Sequence, residues 1–139
     1  MNNPYSTYQK NQVQTLSQEK LVLMLYDGAV KFIIKGIKGI EQQNIEEANN
    51  GLVRAQDIMA ELMSGINWEA GDMAQQFFVL YEYMYHQLMQ ANLKKDKEIA
   101  KDVLDMVKEL RDTWVEMIKM SRSTKNFSAQ PQQSVSASG

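Results

Sequence analysis

Ser17–Ile40 reads SQEKLVLMLYDGAVKFIIKGIKGI. Val22, Tyr26, Ala29, Ile33, Ile37 and Ile40 recur at steps of three and four, which places them on one face of an α-helix. Leu21, Leu25, Gly28, Phe32 and Gly36 form a second row beside the first. What is left for water is a narrow stripe of Lys20, Asp27, Lys31, Lys35 and Lys38, with Asp27 spaced to pair with Lys31 one turn on. A helix apolar over this much of its girth has to be covered on most sides. Ser17 is a good N-cap, and Leu16 with Leu21 can close a hydrophobic staple around it, so the helix is expected to start there.

Downstream the same periodicity repeats three times. A second helix is expected from Asn44, with Glu46 and Glu47 in the first turn where the helix dipole favours acids. Ile45, Ala48, Leu52, Ala55, Met59 and Leu62 form its inner row, and Gly65 stops it. A third runs from about Gly71 to Asn92 with Ala74, Phe77, Tyr81, Met84, Leu88 and Ala91 inward. A fourth begins at Asp96 as N-cap and turns Ile99, Val103, Met106, Leu110, Trp114 and Met117 inward. Both prolines, Pro4 and Pro131, lie near the ends, and no segment alternates long enough for a strand. Short connections between long helices make neighbours antiparallel. The fold expected is all-α: an antiparallel up-down-up-down four-helix bundle over residues 17–121, with an N-terminal strap over 1–16. Residues 122–139 turn to Ser, Gln, Ala and Lys, too polar to offset their ordering entropy, and are expected to be a disordered tail.

Composition narrows the chemistry. The chain has 139 residues, 44% of them hydrophobic, which suits one domain with a single core. With no cysteine there is no disulfide, thiol nucleophile or thiolate zinc site. Fifteen basic against seventeen acidic residues give a net charge of -2, which argues against nucleic acid as a partner. No apolar run approaches the roughly 18 residues of a transmembrane helix, so membrane insertion is not expected. The opening MNNPYSTYQKNQVQ lacks a secretory pattern, and a cytoplasmic protein is expected. The single histidine, His86, stands four residues from Glu82 and has no second histidine to complete a di-metal site of the kind bundles hold. Nucleophile-elbow, P-loop and dinucleotide patterns are missing. No enzyme, metal or cofactor is expected. Lys31, Lys35 and Lys38 read as a solvated stripe, and Lys94, Lys95, Lys97 and Lys101, balanced by Asp96, Glu98 and Asp102, read as a soluble loop.

Apolar surface is what remains. Ten methionines are present, among them Met59, Met73, Met84, Met106 and Met117 on inner rows, and thioethers adapt to varied apolar partners as readily as they fill cores. Tyr5, Tyr8, Val13 and Leu16 are the large apolar groups of the amino-terminal segment. Tyrosines there can bury a ring and keep the hydroxyl wet, as a reversible plug for a groove along the first helix. Leu21, Leu25, Tyr26, Ala29 and Ile33 are the expected groove, with Tyr5 and Tyr8 its displaceable cap; periodicity alone does not separate groove from core. The same apolar flank suits a second reading, a structural homo-oligomer such as a homodimer in which another copy covers it.

Tyr5-Ser6-Thr7-Tyr8, then TLSQEKLVLMLYDGAVKFI from Thr15, RAQDIMAELMSGINWEAGDMA from Arg54, LYEYMYHQLMQAN from Leu80, Lys94-Lys95-Asp96 and Leu110-Arg111-Asp112-Thr113-Trp114 follow one another across the chain. In order and spacing they resemble the flagellar secretion chaperone family, FliS, over residues 4–118. Gln76-Phe77 departs from the Asn-Leu more usual in the family, exchanging one apolar inner residue for another. The resemblance implies a cytoplasmic antiparallel four-helix bundle that binds the carboxy-terminal region of new flagellin. That region is disordered when free and becomes helical as it wraps the bundle. Masking it prevents premature polymerisation and keeps it competent for the flagellar type III export gate. The resemblance also implies an amino-terminal strap that lies in the groove until cargo displaces it.

Overall fold

Four α-helices make up the chain: α1 Pro4–Glu41, α2 Ile45–Ser64, α3 Asp72–Lys94 and α4 Lys97–Ser138, with one 3₁₀ turn, Trp68–Ala70, between α2 and α3. This computed structural model describes the backbone of residues 4–138 and the side chains of residues 18–122, and no strand occurs among the described residues.

Three boundaries fall where side-chain chemistry puts them. Asn44 caps α2 by accepting from the Glu47 N–H at 3.1 Å, with Glu46 and Glu47 in the first turn. Gly65 closes α2, its N–H donating to the carbonyls of Glu61 and Met63. Asp96 Oδ1 accepts from the Glu98 N–H at 2.9 Å, opening α4. Each satisfies backbone groups that a helix end leaves without partners.

The start of α1 differs from expectation. Its backbone is helical from Pro4, well before Ser17. Proline is tolerated at a first helical position because its missing N–H has no intrahelical role there, and no glycine or proline intervenes before Gly28. A good cap residue does not end a helix whose preceding residues also propagate it. The side chains of Tyr5 and Tyr8 lie outside the described residues. Likewise the α4 backbone runs on to Ser138, through the stretch whose composition pointed to a tail.

Helices α1 and α3 each pack against α2 and α4, and among the described residues neither the α1–α3 nor the α2–α4 pair meets at backbone distance. The two pairs therefore take opposite diagonals of a four-helix bundle. Tyr26, Ala29, Ile33 and Ile37 from α1 meet Leu52, Ala55, Met59 and Leu62 from α2 and Tyr81, Met84, Leu88 and Ala91 from α3 in one core. Helix α4 completes it with Ala100, Val103, Leu104 and Val107. That differs from the expected α4 row: Ile99, Met106, Leu110 and Trp114 are only half-buried and Met117 is 44% exposed. The centre of the buried face lies one residue to the side, on Ala100 and Leu104. Ile45 is also displaced outward, at 65% exposure, because the first residue of α2 projects past the end of the core.

The second row of α1 faces α2. A Cβ built on Gly51 would stand 2.5 Å from the Gly36 nitrogen and 2.6 Å from the Phe32 carbonyl oxygen. The two helices thus cross backbone to backbone, where only glycine fits. Nearer the other end of the contact, Gly28 faces Ile58. Asp27 pairs not with Lys31 but with Arg111 on α4. The guanidinium fork reaches across the α1–α4 seam, while Lys31 lies over the Phe32 ring at 5.6 Å.

Candidate functional site

Among the described residues the core does not close on one side, between the loop that joins α2 to α3 and the helices α1 and α4. The start of the described part of α1 (Gln18–Tyr26), the end of α2, the loop through Ile66 and Asn67, the first two turns of α3 and Trp114 of α4 surround a cavity of about 420 Å³. Local chemistry holds the loop open. Gly65 ends α2, Asn67 Oδ1 accepts from the Glu69 N–H at 3.1 Å, and Gly71 takes φ +69°, a conformation that favours glycine, to launch α3.

The walls are apolar. Leu21, Val22 and Leu25 come from α1, Leu62 and Ile66 from α2 and its loop, Met73, Ala74 and Phe77 from α3, and Trp114 from α4. Leu21 and Met73 stand at the rim, 50% and 56% exposed. Glu19 and Glu61 also border the cavity, and among the described residues no lysine, arginine or histidine lines it.

Tyr26 and Tyr81 form the floor. Their hydroxyls bond across the α1–α3 diagonal at 2.6 Å. Phe77 stacks on Tyr81 with ring centres 5.9 Å apart, and Trp114 meets Tyr26 edge to face at 6.5 Å. Burial pushes both phenols above the ordinary tyrosine range, and for Tyr81 the Tyr26 phenol beside it adds to the rise. Both therefore stay protonated, as neutral donors. Trp114 is fixed as a wall because its Nε1–H donates to the Glu19 carbonyl at 3.1 Å, and the Asp27–Arg111 pair fastens α4 to α1 one turn away.

Of the five groove residues read from α1, this geometry brings Leu21, Leu25 and Tyr26 together on the cavity. Ala29 and Ile33 do not line it: both are wholly buried, at 0% exposure, beneath the tyrosine floor. They stand on the inward row, but along the described part of α1 the cavity is lined only by residues from Gln18 to Tyr26. The contributions of Ile66, Met73, Phe77 and Trp114 were not assigned from sequence. The available signal was the gathering of wide rings, Tyr26, Phe77, Tyr81 and Trp114, at inward positions of three helices.

At the other end of the bundle charged and amide side chains gather beside the exposed Ile45 and Leu93. Lys95, in the left-handed conformation at the close of α3, donates through Nζ to Asn49 Oδ1 at 2.8 Å and to the Asn92 carbonyl at 2.7 Å. Lys97 pairs with Glu41 at 3.5 Å. His86 is exposed on α3 against Tyr85. Among the described residues, no group of three or more His, Asp and Glu is placed to hold a metal ion. No helix among them is long and apolar enough to cross a membrane.

The family model for flagellar protein FliS matches residues 1–121. The chain belongs to the FliS family. The flagellar secretion chaperone FliS of Bacillus subtilis (strain 168) is 36% identical over 126 residues, covering 91% of this chain and 94% of that one. The flagellar secretion chaperone FliS of Vibrio cholerae (serotype O1, strain ATCC 39315 / El Tor Inaba N16961) is 34% identical over 105 residues, covering 75% and 77%. That of Escherichia coli (strain K12) is 29% identical over 108 residues, covering 76% and 79%. Both rings of the cavity floor and the Trp114 wall fall within the matched residues.

Proposed function

We propose that the chain is a cytoplasmic export chaperone that takes the carboxy-terminal region of newly made flagellin into the apolar mouth. Held there, flagellin is kept from polymerising and is passed to the flagellar type III export gate. The observation that carries this reading is the mouth itself: a cavity with aliphatic and aromatic walls, open among the described residues, in a chain of the FliS family. An apolar cavity of this kind suits the apolar face of an amphipathic helix better than it suits a polar substrate.

The antiparallel up-down-up-down order belongs to the same reading. It is supported by the falling partner numbers along α1 and α2, Gly28 with Ile58 and Gly36 with Leu52, and by the short connections. In this reading residues 1–16 act as a strap whose Tyr5 and Tyr8 cap the empty mouth, residues 17–121 form the bundle, and 122–139 form a tail. The strap role is supported by α1 reaching the cavity rim at Gln18, so that the preceding residues continue from that rim. Leu21, Leu25 and Tyr26 contact cargo, and Ala29 and Ile33 support the floor from below. A disordered segment folding on a partner buries on the order of 1,000–3,000 Å² and loses ~2–5 kcal/mol of the gross interaction to ordering, which leaves binding reversible for hand-over.

Calorimetric titration with a peptide from the flagellin carboxy-terminal region tests the reading. A one-to-one isotherm with a negative heat-capacity change is expected. Leu25→Asp, which sets a charge against the α1 wall, is expected to lower affinity at least a hundredfold while helix content is kept. Wild-type capture by that variant would refute the mouth as the cargo site. Absence of binding, with an assembly that persists on dilution in sedimentation, would favour the homodimer instead.

A further inference from the structure

Two hydroxyls meet on the floor of the mouth, and they carry two hydrogens. The 2.6 Å bond between them uses one. The hydroxyl that accepts still has its own hydrogen to donate, and no described residue offers it a second acceptor. Both rings line the cavity. In the open mouth water can take that hydrogen. An occupant that fills the mouth with hydrocarbon expels the water and strands a buried donor, which costs more than the bond itself contributes.

Resting on the reading of the mouth as the cargo site, we infer that the Tyr26–Tyr81 pair is a specificity element, donating one hydrogen bond to an uncharged oxygen on the apolar face of the bound segment. The acceptor is a side chain, because a helical segment engages its own carbonyls internally except in its last turn. It is uncharged, because Glu19 and Glu61 border the cavity while no basic side chain lines it among the described residues, so a carboxylate would be desolvated with no described cation to meet it. Asn, Gln, Ser and Thr supply such an oxygen. A segment with the same hydrophobic pattern but Leu or Ala at that one position is discriminated against. The burial of both phenols keeps them protonated over the whole ordinary pH range, so the donor is permanent.

The test is a double-mutant cycle by calorimetry on the full chain and the flagellin carboxy-terminal peptide. Tyr26→Phe combined with Tyr81→Phe keeps both ring shapes and removes both hydroxyls together, a change that is close to neutral for folding. A merely structural pair predicts equal or tighter binding by this variant, because its floor is wholly apolar. The inference predicts binding about three- to tenfold weaker. On the peptide, each Asn, Gln, Ser and Thr is replaced by an apolar residue of matching shape. One position is expected to lose a similar factor on the unaltered chain and nothing on the Phe–Phe variant. Equal or tighter binding by the variant, or peptide losses that are the same on both chains, overturns the inference. The peptide series on the unaltered chain stands alone: if every apolar replacement binds as well as the parent, the inference fails with no change made to the bundle. Failure of the unaltered chain to bind the parent peptide at all would instead remove the flagellin reading, and the inference with it.

Discussion

Gly51→Ala sets two physical effects against each other at the α1–α2 crossing. Helix propensity favours alanine over glycine by ~1 kcal/mol in a helix interior, so on local grounds the change stabilises. Packing says the reverse. The new methyl would stand 2.5 Å from the Gly36 nitrogen and 2.6 Å from the Phe32 oxygen. Both are backbone atoms and neither can rotate aside. Ordinary carbon contacts lie at ~3.5–4.0 Å, so the two axes must part by about 1 Å. Leu52 and Ala55, wholly buried beside the crossing, then lose part of their contact with α1. Overpacking of this kind costs ~1–3 kcal/mol, which exceeds the propensity gain. After the propensity gain a net loss of ~1–2 kcal/mol remains, and at roughly 3–5 °C per kcal/mol for a chain of 139 residues the expected fall is about 3–10 °C. Gly28→Ala is the control, because its methyl would meet only the tip of the Ile58 side chain, at 3.2 Å. That tip can turn away, and the variant is expected to melt at the same temperature or a few degrees higher. Thermal unfolding followed by circular dichroism reads both. A Gly51→Ala protein melting at or above the parent, or a Gly28→Ala protein falling as far as Gly51→Ala, would refute the argument.

Three more outcomes follow from particular contacts. Trp114→Phe keeps a ring against Tyr26 but loses the donor to the Glu19 carbonyl; a stability loss of about 1 kcal/mol is expected in urea unfolding, with weaker peptide capture as the wall loosens. Lys95→Met keeps the aliphatic stem but removes the Nζ bonds to Asn49 and Asn92; ~1–2 kcal/mol of stability should go, with peptide affinity unchanged because Lys95 lies away from the cavity. The phenols of Tyr26 and Tyr81 are raised by burial, while unfolded tyrosine titrates near 10. Their share of stability is therefore complete below about pH 10 and falls as pH rises further, since the unfolded chain gives up protons that the folded chain keeps. Urea midpoints between about pH 9 and 11 should drop less steeply when both tyrosines are replaced by phenylalanine.

Most of the architecture was legible because it rests on local chemistry. Asn44, Gly65 and Asp96 mark helix ends through bonds that each residue makes to its own neighbourhood, and such bonds are visible in a short window. The rows of α2 and α3 were legible too, since each helix turns a narrow, strongly apolar face to the core. On α4 the face is broader, and periodicity placed its centre one residue off, missing Ala100, Leu104 and Val107. Ser17 has every local property of an N-cap, yet nothing before it obliges α1 to stop. Asp27 shows the limit most clearly. Its pairing with Lys31 was a correct local option, and Arg111, eighty-four positions away in sequence, is the partner it takes. The mouth was half legible for the same reason. Leu21, Leu25 and Tyr26 were read along α1, but a cavity to which four helices and a loop each contribute has no period in any one of them.

The attachment of α4 is uneven along its length, and that unevenness has a dynamic consequence. Among the described residues, every buried one that it contributes lies between Ala100 and Val107. Beyond them the described part of the helix is held to α1 by the Trp114 indole, the Arg111–Asp27 pair and a looser contact of Arg122 with Glu19, all at or near the surface. Local opening free energy tracks buried apolar contact. The wall that carries Trp114 can therefore swing outward many times for each time the bundle unfolds. Amide hydrogens after Leu110 should exchange well ahead of those around Val103, and the mouth can widen for a bulky guest while the core beneath Tyr26 and Tyr81 stays shut.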